Sequence, residues 1–151
     1  MAELDFQVHE AGVLPVEDLT WIEECLLRAL AQVVNDYPGS VLAELELLEC
    51  SLVDDATLAQ VHGEYCGDAS PTDVITFPHG EILVSSEMAE RRAKEFDKTI
   101  AEEALLYLVH GLMHLAGYDD KNEADASEMA KAQEKVWEAC QVGASERASS
   151  E

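Results

Sequence analysis

The stretch His110-Gly111-Leu112-Met113-His114-Leu115-Ala116-Gly117-Tyr118-Asp119-Asp120 holds residue types whose spacing could do chemistry. Two histidines four apart on a helix project from one face about one turn apart, so both imidazoles can bind a single ion. Their helical neighbours are apolar, and burying two imidazoles there without partners would be costly. A lone histidine on such a face reads as a satisfied core residue. Two at this spacing, followed by a glycine that lets the chain turn back with a third ligand, read as a metal site. Asp120 is the best third ligand, with Asp119 its rival.

The spacing HxxxHxxGxxD is similar to the long zinc motif of metzincin proteases, with aspartate in the third ligand place. In those proteases the first histidine is followed by a glutamate that serves as general base. Here that residue is Gly111, which can do no acid–base chemistry. A zinc metallopeptidase-like hydrolase would need its base from elsewhere, and it stands as an alternative.

The elements that must position these residues follow from apolar period and capping. Residues 3–9 alternate loosely through Leu4, Phe6 and Val8, as in a short strand. From Pro15 to about Asp36, Leu19, Ile22, Leu26, Leu30 and Val33 recur at three- and four-residue steps, an amphipathic helix that Tyr37-Pro38-Gly39-Ser40 ends. Residues 41–50 place Val41, Ala43, Leu45 and Leu47 on one face and read as a strand. Asp54 and Asp55 cap a short helix reaching about His62, and a loop runs from Gly63 to Thr72. Two apolar runs, 74–77 and 81–85, are joined tightly by Pro78-His79-Gly80 as paired strands. The second half is helical. One helix spans Ser86 to about Lys98, and a second opens on the capping box Thr99-Ile100-Ala101-Glu102 and runs to about Ala116. The latter is apolar nearly all round, hence buried, and Gly117 stops it. A last helix covers roughly Glu123 to Cys140 and buries Met129, Val136 and Trp137. Residues 1–142 are read as one domain and 143–151 as a disordered tail.

Composition narrows the partners. The 151 residues carry 9 Lys plus Arg against 32 Asp plus Glu, a formal charge of −23, with 48% hydrophobic residues. That suffices for a core, and it opposes nonspecific capture of nucleic acid or an anionic membrane. The span from Ala29 to Glu90 contains twelve acids and no Lys or Arg, while Arg91, Arg92, Lys94 and Lys98 crowd into one run. That run is the one place where phosphate could be gripped; it also reads as the solvated face of a helix, and the acid excess as adaptation of the surface to high salt. Four cysteines without a CxxC pair point to free thiols in a reducing compartment. The N-terminus lacks a basic n-region and an apolar h-region, and no apolar run approaches about 20 residues, so the expected location is cytoplasmic.

HGLMHLAGYDD closely resembles the HGxLHLxGYDH signature of YbeY-type endoribonucleases, the rRNA-maturation metalloproteins. Pro71-Thr72-Asp73-Val74-Ile75-Thr76-Phe77-Pro78 is similar to the family's PTDVLSFP, Gly80-Glu81-Ile82-Leu83-Val84-Ser85 to its GDIxIS strand, and Met129 falls where its final helix has methionine. The resemblance implies an α+β fold: a small mixed sheet of four strands flanked by about five helices, with one zinc ion held by three ligands on a central helix. It implies a single-strand-specific endoribonuclease acting in 16S rRNA 3′-end maturation and ribosome quality control, with the small ribosomal subunit and its assembly factors as partners. Carried over by position, His110 and His114 match two family ligands, and Asp120 stands where the third histidine normally is.

Asp120 changes the expected electrostatics. Carboxylate oxygen is a competent zinc ligand, but its charge lowers the site from +2 to +1, acidifies bound water less, and tolerates harder ions such as Mn²⁺ better. A second departure lies before PTDV, where the family's Leu-Asn-x-x-Tyr-Arg is replaced by Val61-His62-Gly63-Glu64-Tyr65-Cys66. A thiol cannot replace the charged fork that arginine offers a phosphate. Arg91 and Arg92 are the candidate substitutes. His62 is a candidate proton shuttle or surrogate phosphate donor, read equally as a surface histidine at a helix end. Thr72 and Asp73 are candidates for orienting the loop beside the metal, and equally ordinary turn chemistry. His79 is expected to be exposed; Glu103, two turns before His110 on the same face, reads as a solvated helix position, with a partner of the metal ligands as the alternative; Tyr118 and Asp119 are expected to fix the turn that presents Asp120. The residues do not decide whether an activated water or the RNA 2′-hydroxyl attacks phosphorus. With no evident base, a non-catalytic, metal-stabilised assembly factor stands as a further reading.

Overall fold

A computed structural model of the chain describes residues 2–9, 14–66 and 72–141. The N-terminal strand β1 (Glu3–Val8) leads to helix α1 (Val16–Asp36), the one-turn helix α2 (Val41–Glu44) and strand β2 (Leu47–Val53). Helix α3 (Asp55–Cys66), strands β3 (Val74–Phe77) and β4 (Glu81–Ser85), and helices α4 (Ser86–Glu95), α5 (Ile100–Leu115) and α6 (Glu123–Cys140) complete the order. The four strands form one mixed sheet in the order β1-β2-β4-β3, with β1·β2 and β2·β4 parallel and β3·β4 antiparallel. The fold is therefore α+β with a small mixed four-stranded sheet, and α5 lies at its centre, packed against α1, α4, α6, β3 and β4.

The strand expected over 41–50 is corrected. Residues 41–44 form a helical turn, because the Ser40 hydroxyl accepts from the Ala43 amide at 3.3 Å and caps it. The strand begins only at Leu47, where pairing with Glu3 on one side and, from Glu49, with Glu81 on the other sets the register. Alternation at Val41, Ala43 and Leu45 was thus a local pattern that tertiary pairing overrode. Helix α3 also runs four residues further than its expected end at His62, to Cys66. The tail expected from residue 143 lies outside the described residues.

Elsewhere the caps act as their residue types dictate. The Thr99 hydroxyl accepts from the Glu102 amide at 3.1 Å while the Glu102 carboxylate accepts from the Thr99 amide at 2.9 Å, opening α5 with a complete capping box. Asn122 accepts from the Asp125 amide at 2.9 Å to open α6. The β3–β4 connection, Pro78-His79-Gly80, closes with the Gly80 amide on the Phe77 carbonyl at 3.0 Å, and its φ of 104° at Gly80 requires glycine.

The two faces of the sheet are covered differently. Leu48, Cys50, Leu52, Ile82 and Val84 join α1, α5 and α6 in the main core. Val53, Ile75 and Leu83 meet Leu58 and Val61 of α3 in a smaller cluster on the opposite face. Gly111 on α5 sits where an added Cβ would meet Ile82 side-chain atoms at 2.8 Å, so glycine lets the helix lie close on β4.

Candidate metal centre

The site begins at the C-terminal end of α5. The Gly117 amide bonds the His114 carbonyl at 3.0 Å and the Tyr118 amide bonds the Met113 carbonyl at 3.0 Å, with Gly117 at φ 112°. This Schellman arrangement reverses the chain directly after the second histidine. The Tyr118 hydroxyl shares a 2.7 Å hydrogen bond with the Tyr37 hydroxyl, and the rings meet edge-on at 5.6 Å, fastening the reversal to the end of α1. The Asp120 amide donates to Asp119 Oδ1 at 2.8 Å, so Asp119 braces the turn while the Asp120 carboxylate approaches the two histidines.

Three donor atoms converge. His110 Nε2 and His114 Nε2 are 3.2 Å apart, and Asp120 Oδ2 lies 3.8 Å from the first and 3.9 Å from the second. The circle through these three atoms has a radius of about 2.1 Å, the length of a zinc–imidazole or zinc–carboxylate bond. The other nitrogens are already committed: His110 Nδ1 lies 2.7 Å from Gln133 Oε1 on α6, and His114 Nδ1 lies 3.1 Å from the Tyr118 carbonyl. An Nδ1–H donated to each oxygen leaves both Nε2 lone pairs facing each other and a carboxylate. Lone pairs so placed repel unless a cation stands between them. Among the described residues these three form the group able to hold a metal ion. Burial pushes the thiols of Cys50 and Cys140 well up, and with Cys25 they lie buried in the core outside any disulfide.

The pair opens on a groove of about 700 Å³ walled by Val74 and Thr76 of the edge strand β3, by Pro78 just after it, and by Gly39 to Val41. Thr76 Oγ1 is buried there without a hydrogen-bond partner among the described residues. A second cavity of about 300 Å³ shares His110 and Gln133 as a wall and is lined by Asp73, Arg92, Lys98, Glu103 and Tyr107.

The other candidates separate by position. Arg92 and Lys98 reach the second cavity, whereas Arg91 pairs with Asp55 at 2.8 Å and Lys94 with Glu90 at 3.8 Å, both away from the histidines. Asp73 lines the same cavity, and Thr72 stands at the strand entrance with its hydroxyl 3.5 Å from the Val74 carbonyl. His62 sits on α3, against the opposite face of the sheet, and lines neither cavity. His79 is exposed as expected, 3.2 Å from Glu81 and stacked at 5.4 Å on Phe77. Glu103 is corrected: it is not solvated but 3% exposed, with Lys98 Nζ at 3.9 Å. Gly111 is a packing residue against Ile82, so its place could hold no protease-type base. Gln133 and Thr76 went unread in the sequence, because only the packing of α6 and the pleat of β3 bring them to the site.

The family model described as Endoribonuclease YbeY matches residues 17–141. A Rhizobium etli protein named Endoribonuclease YbeY is 32% identical over 151 aligned residues, covering 85% of this chain and 85% of its own. One of the same name from Thermotoga maritima is 37% identical over 125 residues, covering 76% of this chain and 80% of its own. The solution structure of a Thermotoga maritima protein superposes with a TM-score of 0.66 at 26% identity, covering 99% of this chain and 96% of that one. A matched family model over most of the chain, relatives above 30% identity and a shared fold place the chain in the YbeY endoribonuclease family.

Proposed function

We propose that this protein is a single-strand-specific metallo-endoribonuclease of 16S rRNA 3′-end maturation and ribosome quality control, using one dication held by His110, His114 and Asp120. The observation that carries the reading is the 2.1 Å circle through two imidazole nitrogens and a carboxylate oxygen, with both Nδ1 atoms already engaged. Zinc suits two histidines and a carboxylate, and Mn²⁺ is the nearest rival. Such an ion supplies Lewis-acid polarisation of a phosphodiester oxygen. The chain's own residues do the rest. Gln133 and the Tyr118 carbonyl lock the two rings, and Arg92 and Lys98 neutralise phosphate beside His110.

Charge dictates how substrate arrives. A surface at −23 repels free RNA, so affinity for naked RNA is low and falls steeply with salt, and a protein surface on the small ribosomal subunit is the natural recruiter. No helix among the described residues is long and apolar enough to cross a membrane, and the cytoplasm, where ribosomes are made, is the proposed location. The test is cleavage of single-stranded RNA by purified protein. Cleavage lost on chelation and in His114→Ala supports the reading. A peptide cut instead, or ribosome association with no RNA cut, overturns it in favour of a peptidase or an assembly factor.

A further inference from the structure

The cavity beside the metal centre has features that phosphate gripping does not explain. Glu103, one of its lining residues, is 3% exposed, and its Oε1 is buried without a hydrogen-bond donor in full geometry among the described residues. The nearest cation, Lys98 Nζ, stands 3.9 Å off and is partly held over the Trp137 ring at 4.8 Å. The Tyr107 hydroxyl is also buried and lies beside the Glu103 carboxylate, without a hydrogen bond of full geometry between them. Burial first, then hydrogen-bonding attraction to the Glu103 carboxylate, pushes its pKa far above the ordinary tyrosine value, so it remains a donor. A buried carboxylate and a buried hydroxyl so loosely paired keep hydrogen-bonding capacity that a ligand can engage.

The remaining walls include apolar surface. Phe96, 58% exposed, and Leu106 offer apolar surface, and the volume of about 300 Å³ is at the small end for a ligand site. Resting on the RNA-cleaving reading of the adjoining centre, we propose that this cavity is a nucleobase subsite that selects guanine in single-stranded RNA next to the scissile phosphate. Guanine presents two adjacent donors, N1–H and the 2-amino group, beside the O6 acceptor. A carboxylate flanked by a hydroxyl donor is the complement of that edge. Adenine offers one donor and no O6, and cytosine one donor at its amino group. Arg92 and Lys98 among the lining residues neutralise the attached phosphate, and the shared wall of His110 and Gln133 sets the base beside the metal ligands. Glu103 and Tyr107 are one helical turn apart on α5, which fixes their spacing independently of any loop.

The test uses the full chain and four probes of equal phosphate charge: GMP, IMP, AMP and CMP, titrated by protein fluorescence, for which Trp137 beneath Lys98 is the reporter. GMP is expected to bind at least about tenfold tighter than AMP or CMP, with IMP between because it lacks the 2-amino donor. Glu103→Gln, nearly isosteric, should erase that ranking, and Tyr107→Phe should reduce it while keeping the ring packed. Circular dichroism checks that both variants fold. Equal binding of all four nucleotides, or an unchanged ranking in both folded variants, overturns the proposal. A cleavage arm separates this subsite from the reading on which it rests. On single-stranded oligoadenylate carrying one guanine, cutting confined to the guanine neighbour supports the subsite and cutting at every base contradicts it. Selective GMP binding without any cutting supports the subsite and contradicts the nuclease reading alone.

Discussion

The two faces of the sheet use histidine in opposite ways. On the α5 face, His110 and His114 are half-buried, each with one nitrogen tied to an oxygen and the other aimed at a shared point with Asp120. On the α3 side, His62 lies along a helix that packs through Leu58 and Val61, and His79 tops a hairpin, stacked on Phe77 and paired with Glu81. The residue type is the same; what differs is whether the neighbouring elements remove the freedom of the ring. A histidine becomes a ligand when its second nitrogen is spoken for and its rotamer is fixed, and only the α5 face supplies both.

The largest effect expected is loss of metal. His110→Ala with His114→Ala should abolish measurable zinc binding by calorimetry, whereas His62→Ala with His79→Ala should leave it unchanged; equal losses would erase the distinction between the faces. Next is packing. Gly111→Ala should cost about 1–3 kcal/mol in urea unfolding, since the methyl group must displace Ile82. Gly39→Ala, with open space around it, should be near neutral.

Orientation comes third. Gln133→Leu should weaken zinc binding about 10- to 100-fold with unfolding unchanged, because His110 loses the acceptor that fixes its ring. Asp120→His should then move the pH–rate inflection of RNA cleavage to lower pH, as the site charge rises from +1 to +2.

The smallest effect is at alkaline pH. The Tyr118 hydrogen bond, then burial, raises Tyr37 to about 12 from 10.0. The folded state therefore keeps a proton that the unfolded chain releases above about pH 10. This contribution to stability is full below pH 10 and declines as pH rises toward 12. Urea midpoints at pH 9 and 11 should show that decline, reduced in Tyr37→Phe.

How much of this was legible in the sequence follows the range of the signal. Helices α1, α5 and α6 announce themselves by period and caps, and the histidine pair by a four-residue spacing, all local. Val41 to Leu47 alternated convincingly, yet Ser40 caps a helical turn and pairing with β1 and β4 moves the strand to 47–53. Glu103 was read as solvated because nothing near it in sequence shows that β3, α4 and α6 close over its face of α5. Gln133 lies 23 residues from the ring it orients. Ligands set by helical spacing could be read; partners set by packing could not.

X-ray absorption at the zinc edge of the loaded, full-length protein measures the coordination directly. The account predicts two imidazoles and one carboxylate oxygen at about 2.0–2.2 Å. A sulfur shell near about 2.3 Å, or absence of imidazole scattering, would contradict it.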